Sequence, residues 1–285
     1  MGFKKKLMEE LEGELEQSDL KLLPGGFQTL GKVIIIKLKP ELMNNKEIIG
    51  EAYLKLLPYI RSVYLNRGKI EGDFRTPEQI EYLSGEKDPI VEHKEHGVIY
   101  NLDITKIMFS QGNLRERRHI ASLVKKDEIV VDMFAGIGYF SLPIGKLSDA
   151  KKVYSIELNP LAFQYLKENV KLNDLEGIIE PILGDSKEEV LKLSKEGVRA
   201  DRIIMGVFPA PKNFIPEALS VAKEDGATFH YEGVRDEEEF MSLFNEFDRV
   251  AKAQGFTSRL KSHRFVKSYG PHLYHVVMDI LVSRP

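Results

Sequence analysis

Three carboxylates and a pair of glycines carry the chemistry this sequence offers. The stretch "VVDMFAGIGYF" (130–140) puts Asp132 after two strand-forming valines, then Phe134, Gly136 and Gly138 in a GxG turn. Glycines so spaced let a backbone turn tightly and approach a ligand closely. The helix that follows points its first amides at that ligand. Further on, "KKVYSIELNP" ends a second strand at Glu157, next to Leu158, and "ILGDSKEE" ends a third at Asp185 and Ser186. A carboxylate on the second strand tip accepts hydrogen bonds from both hydroxyls of a ribose. Asp185 stands where a side chain can meet an adenine amino group, or can cap the helix after it. Acids on three successive strand tips therefore predict a nucleoside-like ligand.

The electrostatics narrow that ligand. A dinucleotide site carries GxGxxG, but Ser141 stands where the third glycine belongs. Asp132 would repel a pyrophosphate and suits an ammonium group, such as the amino acid end of S-adenosylmethionine (SAM). SAM is thus favoured over NAD, although NAD sites also keep an acid where Glu157 stands.

The elements that must place these residues follow from periodicity. From about Gly112 helices and strands alternate: helix 113–124, strand 128–132, helix 138–148, strand 152–157, helix 160–173 and strand 178–183. Helix 187–195, strand 201–206, helix 212–222, strand 226–232 and helix 237–253 continue the pattern. Such alternation implies βαβ units and a parallel sheet. Asn159-Pro160 supplies a cap and a first-turn proline for one helix. Two long strands, "GFTSRLKSHRFVKSY" and "LYHVVMDILVSR", meet at Gly270-Pro271 and must pair antiparallel. The expected fold class is α/β: a doubly wound, Rossmann-like sheet of the class I methyltransferase type over 112–285. Residues 1–111 mix short strands with one or two helices and predict a small α+β domain. Its expected parts are a helix over 3–17, a strand over 32–38, a helix over 46–57, strands within 62–75 and 78–85, and a hairpin turning at His96-Gly97.

Composition sets the outer limits. The chain has 285 residues, 42% hydrophobic and 30% charged, which suits an ordinary globular protein. It has no cysteine, so disulfides, thiolate nucleophiles and Cys-ligated zinc are excluded. The amino terminus has no apolar run of the signal-peptide kind, and a cytoplasmic location is expected. A net charge of −3, from 41 Lys+Arg against 44 Asp+Glu, argues against a non-specific polyanion binder but leaves room for a local basic groove.

Read together, "MFSQGNLRERRHIASLV", "VDMFAGIGYFSLPIG", "VYSIELNPLAFQYLKENVKLN" and "ADRIIMG" resemble two related groups of tRNA-modifying SAM enzymes. One is the tRNA guanine-N1 methyltransferase that acts beside the anticodon. The other is the aminocarboxypropyltransferase of wybutosine synthesis, which acts on the same nucleotide. The resemblance is clear over 89–285 and weaker before it. "FSQGNLRER" is nearer the transferase form. "MGVFPAP" (205–211) lacks the Asn-Leu-Pro of the methyltransferase and puts Gly206 in place of its Asn. "GYFSLP" and His230-Tyr231 also follow the transferase.

The favoured reading is transfer of the 3-amino-3-carboxypropyl arm of SAM to a ring carbon of 4-demethylwyosine in tRNA-Phe. The guanine-N1 methyltransferase is the alternative. The resemblance implies SAM contacts at Ser110, Arg117, Glu157, Asp185 and Ser186, beside Asp132, Phe134, Gly136 and Leu158. Neither a metal nor a covalent nucleophile is expected, since the electron-rich wyosine ring can attack once positioned. Gly206, His230 and Tyr231 are the substrate-facing candidates, and His230 or water is the candidate proton acceptor.

An anticodon-loop base is reached by splaying it out and stacking it on aromatics. Tyr139, Phe140, Phe208 and Tyr231 are aromatic candidates, although Phe140 falls on an inner helix face. Arg115 and Arg118 on one helix, and Arg259, Lys261, Arg264 and Lys267 on the last hairpin, are candidate phosphate contacts. The small amino-terminal domain would be a second grip on the RNA.

Overall fold

The computed structural model describes residues 2–68, 70, 71, 76, 77 and 79–285, with backbone alone at 70, 71, 76 and 77. The chain forms two compact units, Met1–Lys94 with Ile99–Gln111, and Glu95–Val98 with Gly112–Pro285.

The first unit begins with helices α1 (Phe3–Glu10) and α2 (Gln17–Leu22). Strands β1 (Gln28–Leu30) and β2 (Val33–Ile36), helix α3 (Lys46–Leu56) and strand β3 (Ser62–Asn66) follow. Then come the two-residue strands β4 (Ile70–Glu71) and β5 (Thr76–Pro77), and β6 (Ile80–Gly85). The order β1-β2-β3-β6 makes a mixed sheet in which β2 and β3 run parallel. Every side chain of β2 is buried, as its unbroken apolar run requires. Leu7, Leu11, Ile34, Ile36 and Tyr53 share the core. The first helix is shorter than its periodicity predicts, because Gly13 takes a φ of +92° and breaks it. Leu11 and Leu15 are buried all the same. The part of the 62–75 strand expectation at 69 and 72–75 lies outside the described residues.

Strands β7 (Ile90–Glu95) and β8 (Val98–Asp103) pair through a two-residue turn. His96 and Gly97 both have positive φ there (50° and 83°), the pattern of a type I′ hairpin turn.

The second unit runs α4 (Leu114–Leu123), β9 (Ile129–Asp132), α5 (Ser141–Leu147), β10 (Lys152–Glu157), α6 (Pro160–Leu172) and β11 (Ile179–Leu183). It continues α7 (Ser186–Lys195), β12 (Arg202–Met205), α8 (Ile215–Ser220), β13 (Ala227–Asp236), α9 (Met241–Ala253), β14 (Thr257–Gly270) and β15 (Leu273–Ser283). The sheet order is β11-β10-β9-β12-β13-β15-β14. The first five strands are parallel, and β15 is antiparallel to both its neighbours. The chain steps outward from β9 to β11, then returns to the other side of β9 as β12. That reversal is the topological switch point, where α/β sheets open a crevice at their carboxyl ends.

Local differences from the sequence expectations have local causes. Helix α5 begins at Ser141 rather than 138, since Gly136 and Gly138 hold φ of +59° and +99°, outside the helical region. The helix expected over 212–222 opens as a 3-10 turn (Lys212–Phe214) before α8. Strand β13 runs past β12 to Asp236 because β15 pairs with it along its whole length. The closing turn is Pro271-His272 rather than Gly270-Pro271, since Gly270 still pairs with Leu273. Among the described residues no helix is long and apolar enough to cross a membrane.

Candidate functional site

The crevice is built from the tips of β9, β10 and β11 and the turns that leave them. Glu157 ends β10, and its two oxygens accept from the amides of Gly136 and Asn159, each at 2.7 Å. Burial pushes its carboxyl above the usual range, against the pull of these amides. A carboxylate offers about four lone-pair positions, so these amide bonds leave acceptor capacity for a ribose. Gly136 is fixed as glycine: its φ is positive, and a Cβ would lie 2.5 Å from the Tyr139 ring. Asn159 caps α6 by accepting from the Leu161 amide at 2.9 Å. Leu158 and Leu183, at the ends of β10 and β11, are exposed and offer apolar surface.

Asp132 ends β9 and is buried. It accepts from the Ser141 hydroxyl at 2.7 Å, and Ser155 donates to Ser141 at 2.7 Å. Burial pushes its carboxyl up to about 7, and nearby Glu232 and Glu157 add to the rise while Ser141 opposes it. Ser141, at the start of α5, is thus held by both β9 and β10. Asp132, the carboxylate expected to suit an ammonium group, is therefore a buried acid held near 7.

Asp185 caps α7 through the Lys187 amide at 2.8 Å, and the buried Ser186 hydroxyl donates to the Met133 carbonyl. Phe134 packs edge-on against Phe214, with ring centres 4.9 Å apart. Arg117 is buried, paired with Glu95, and its guanidinium lies 5.2 Å from the centre of the Tyr139 ring. Ser110 belongs to the first unit and is half-buried.

The substrate-facing candidates go to different places. His230 is fully buried. Its Nδ1 is 2.6 Å from Asp279 and its Nε2 is 2.6 Å from Arg202. An arginine only donates, so Nε2 must accept and the proton sits on Nδ1. Burial pushes this histidine below its usual range, which keeps it neutral. Both nitrogens are therefore engaged in the fold. Tyr231 points to the other sheet face, packs on Phe247 and donates to Glu246 at 2.6 Å. Gly206, just past β12, faces the carboxyl of Glu232, which a Cβ would approach to 3.2 Å.

Sequence reasoning passed over Glu232. It lies two residues from His230 on the same strand face, a relation that strand alternation makes readable. Its Oε2 accepts from His275 Nε2 at 2.9 Å, and both residues are buried. Phe208 stands edge-on to His275, with ring centres 4.7 Å apart. Phe140 is in the core.

Of the basic candidates, Arg115, Arg118, Arg259, Lys261 and Lys267 are exposed. Arg264 is half-buried and clamped between Glu116 (2.7 Å) and Asp279 (2.6 Å). Its charge is already matched by two carboxylates, which sets it apart from the others as a phosphate contact. Among the described residues no group of three or more His, Asp or Glu gathers as a metal site.

A glycine turn and nucleoside-type acids at the switch point of this sheet define a Rossmann-like domain of SAM-dependent transferases. The TRM5/TYW2 methyltransferase domain model matches residues 91–258, and the TYW2 N-terminal domain model matches 7–88. The chain belongs to the TRM5/TYW2 family. It is 39% identical, over 99% of its length and 98% of the relative's, to a tRNA(Phe) (4-demethylwyosine(37)-C(7)) aminocarboxypropyltransferase of Pyrococcus horikoshii. It is 34% identical to the tRNA (guanine(37)-N(1))-methyltransferase Trm5b of Pyrococcus abyssi, over 92% of this chain and 76% of that one. The crystal structure of P. horikoshii TYW2 in complex with MeSAdo superposes with a TM-score of 0.83 at 36% identity, covering 99% of this chain and 100% of that one.

Proposed function

We propose that this protein transfers the 3-amino-3-carboxypropyl arm of SAM to a ring carbon of 4-demethylwyosine beside the anticodon of tRNA-Phe. One observation carries the choice over guanine-N1 methylation: the end-to-end match to the P. horikoshii aminocarboxypropyltransferase, with an amino-terminal region of TYW2 type. Gly206 agrees with it, because by resemblance it stands where the methyltransferase carries an Asn that would orient the base for attack at nitrogen.

The residues present fit SAM. Glu157 keeps acceptor capacity for the ribose, Leu158 and Leu183 offer apolar surface to the adenine, and the Gly136 turn allows close approach. Asp185 and Ser186 stand at the third tip, Phe134 and Asp132 at the first. Arg117 and Ser110 are assigned to the same ligand by resemblance. The sulfonium activates three carbons, and the one in line with the nucleophile reacts. Alignment of that kind supplies about 7–11 kcal/mol of a barrier. The protein's task is to turn the long arm, rather than the methyl group, toward the base.

The RNA would meet the exposed Arg115, Arg118, Arg259, Lys261 and Lys267, with the amino-terminal unit as a further grip. A cytoplasmic site of action is part of this reading.

The test incubates tRNA-Phe bearing 4-demethylwyosine with the protein and SAM labelled either in the carboxyl carbon or in the methyl group. Carboxyl label in the RNA, with methylthioadenosine released, is the expected result. Methyl label in the RNA would establish the alternative instead.

A further inference from the structure

Glu232 combines three features that the fold alone does not require. It is 1% exposed, yet among the described residues no group hydrogen-bonds its Oε1. Buried carboxylate oxygens are normally satisfied, because an unmet acceptor keeps the full penalty of leaving water. It lies just past the last β12–β13 pair, Met205 with Tyr231, so it stands at the carboxyl edge of the sheet beside the switch point. It lies near enough to Asp132 to add to the rise of that carboxyl.

The neighbouring glycine points the same way. Gly206 has no left-handed φ that would demand glycine, but a Cβ there would press on the Glu232 carboxyl carbon and oxygens at 3.2–3.3 Å. The glycine is explained by space: it leaves room beside the buried carboxylate that a Cβ would fill. His275 Nε2 holds the other oxygen at 2.9 Å and fixes the plane of the group. His230 cannot do the same work, since Arg202 occupies its only lone pair.

We propose that Glu232 is the catalytic base that removes the ring proton during arm transfer, with His275 as its positioning residue. The inference rests on the transfer reading above. The ring carbon supplies its electron pair to the Cγ of the arm, forming the new C–C bond. The S–C bond breaks and its pair leaves on methylthioadenosine. The ring, now positively charged, still carries its hydrogen on that carbon. Oε1 of Glu232 takes this proton, and the C–H pair restores the aromatic ring. A general base of this kind contributes about 10²–10⁴-fold.

The experiment uses full-length protein and tRNA bearing 4-demethylwyosine with hydrogen or deuterium on the accepting carbon. Expected for Glu232→Gln are SAM binding within threefold of wild type, transfer at least about 100-fold slower, and a deuterium isotope effect that wild type lacks. Glu232→Asp, which keeps the charge, should recover part of the rate and still show the isotope effect. It also serves as the test should the Gln variant fail to fold. Transfer within threefold of wild type, or slow transfer without an isotope effect, overturns the assignment. The wild-type product mass in the same assay separates the two claims. Addition of a methyl group by wild type overturns the transfer reading, whereas arm transfer with an indifferent Glu232 variant overturns only this one.

Discussion

The two halves of the sheet hold their acids by different means. On the β9–β11 side, Glu157, Asp132 and Asp185 are bound by backbone amides and hydroxyls that are mostly near in sequence. On the β13–β15 side, Asp279, Glu116 and Glu232 are bound by arginine and histidine side chains from distant segments. Amides cannot be lost by titration and keep lone pairs of the acid available, which suits a ligand site. Arg264 matches the charge of Glu116 and Asp279, which suits the joining of elements, whereas His275 holds one oxygen of Glu232 and, among the described residues, nothing bonds the other. Arg264 ties β14 to α4 and β15 at once, and Arg202 ties β12 to β13 and to the loop before β9.

The largest effect should come from breaking the charge-matched side. Arg264→Met leaves Glu116 and Asp279 without their shared cation, and a buried pair so broken costs about 3–5 kcal/mol. Denaturant unfolding would show it, and an unchanged midpoint would reduce the network to ornament. Burial alone would raise the Asp279 carboxyl, but bonds from His230 and Arg264 hold it well below the usual carboxylate range. Its stabilisation is therefore complete above about pH 4 and is lost as the pH falls below that, so an Asp279→Asn variant should have a flatter acid limb.

On the amide-bound side the pH dependence has the opposite sign. Asp132 is held near 7 in the fold against an ordinary value of 3.8. Between those values the unfolded chain gives up its proton first, so stability falls as pH rises and levels off above about 7. Asp132→Asn should remove that slope. It should gain stability on wild type between pH 4 and pH 8 by about 2–4 kcal/mol of pH-dependent difference. A parallel pair of stability curves would place the perturbation elsewhere.

Next comes ligand affinity. Glu157→Ala removes a ribose acceptor and the anchor of the Gly136 amide, and calorimetry should find SAM bound about 10–100-fold more weakly, a loss of about 1.4–3 kcal/mol. Undiminished affinity would move the nucleoside away from this strand tip.

The smallest effects should fall on the exposed basic residues. Lys261→Ala or Arg259→Ala should weaken tRNA binding modestly and lower the slope of log affinity against log salt by about 1 each. An unchanged slope would remove the residue from the RNA surface.

The same contrast explains what could be read in advance. The β9 turn, the Glu157–Asn159–Pro160 tip and the helix cap at Asp185 depend on residues a few places apart, so spacing alone exposes them. The start of α5 at Ser141 is not legible in local pattern, because it depends on the left-handed conformation of Gly136 and Gly138. Arg264 and His230 look in sequence like available polar groups on a strand. Their partners Glu116 and Asp279 arrive from elsewhere in the chain, and no periodicity announces them.

By itself the sequence determined the alternation of strands and helices, the glycine turn and the acids at strand tips, because each is set by hydrophobic period and by contacts a few residues long. Only the tertiary structure decided which charges are spent on the fold and which stay open, and it brought Gly206, Glu232 and His275 together from three segments. Coulombic and hydrogen-bond partners are chosen by distance in space, and the folded sheet alone sets that distance.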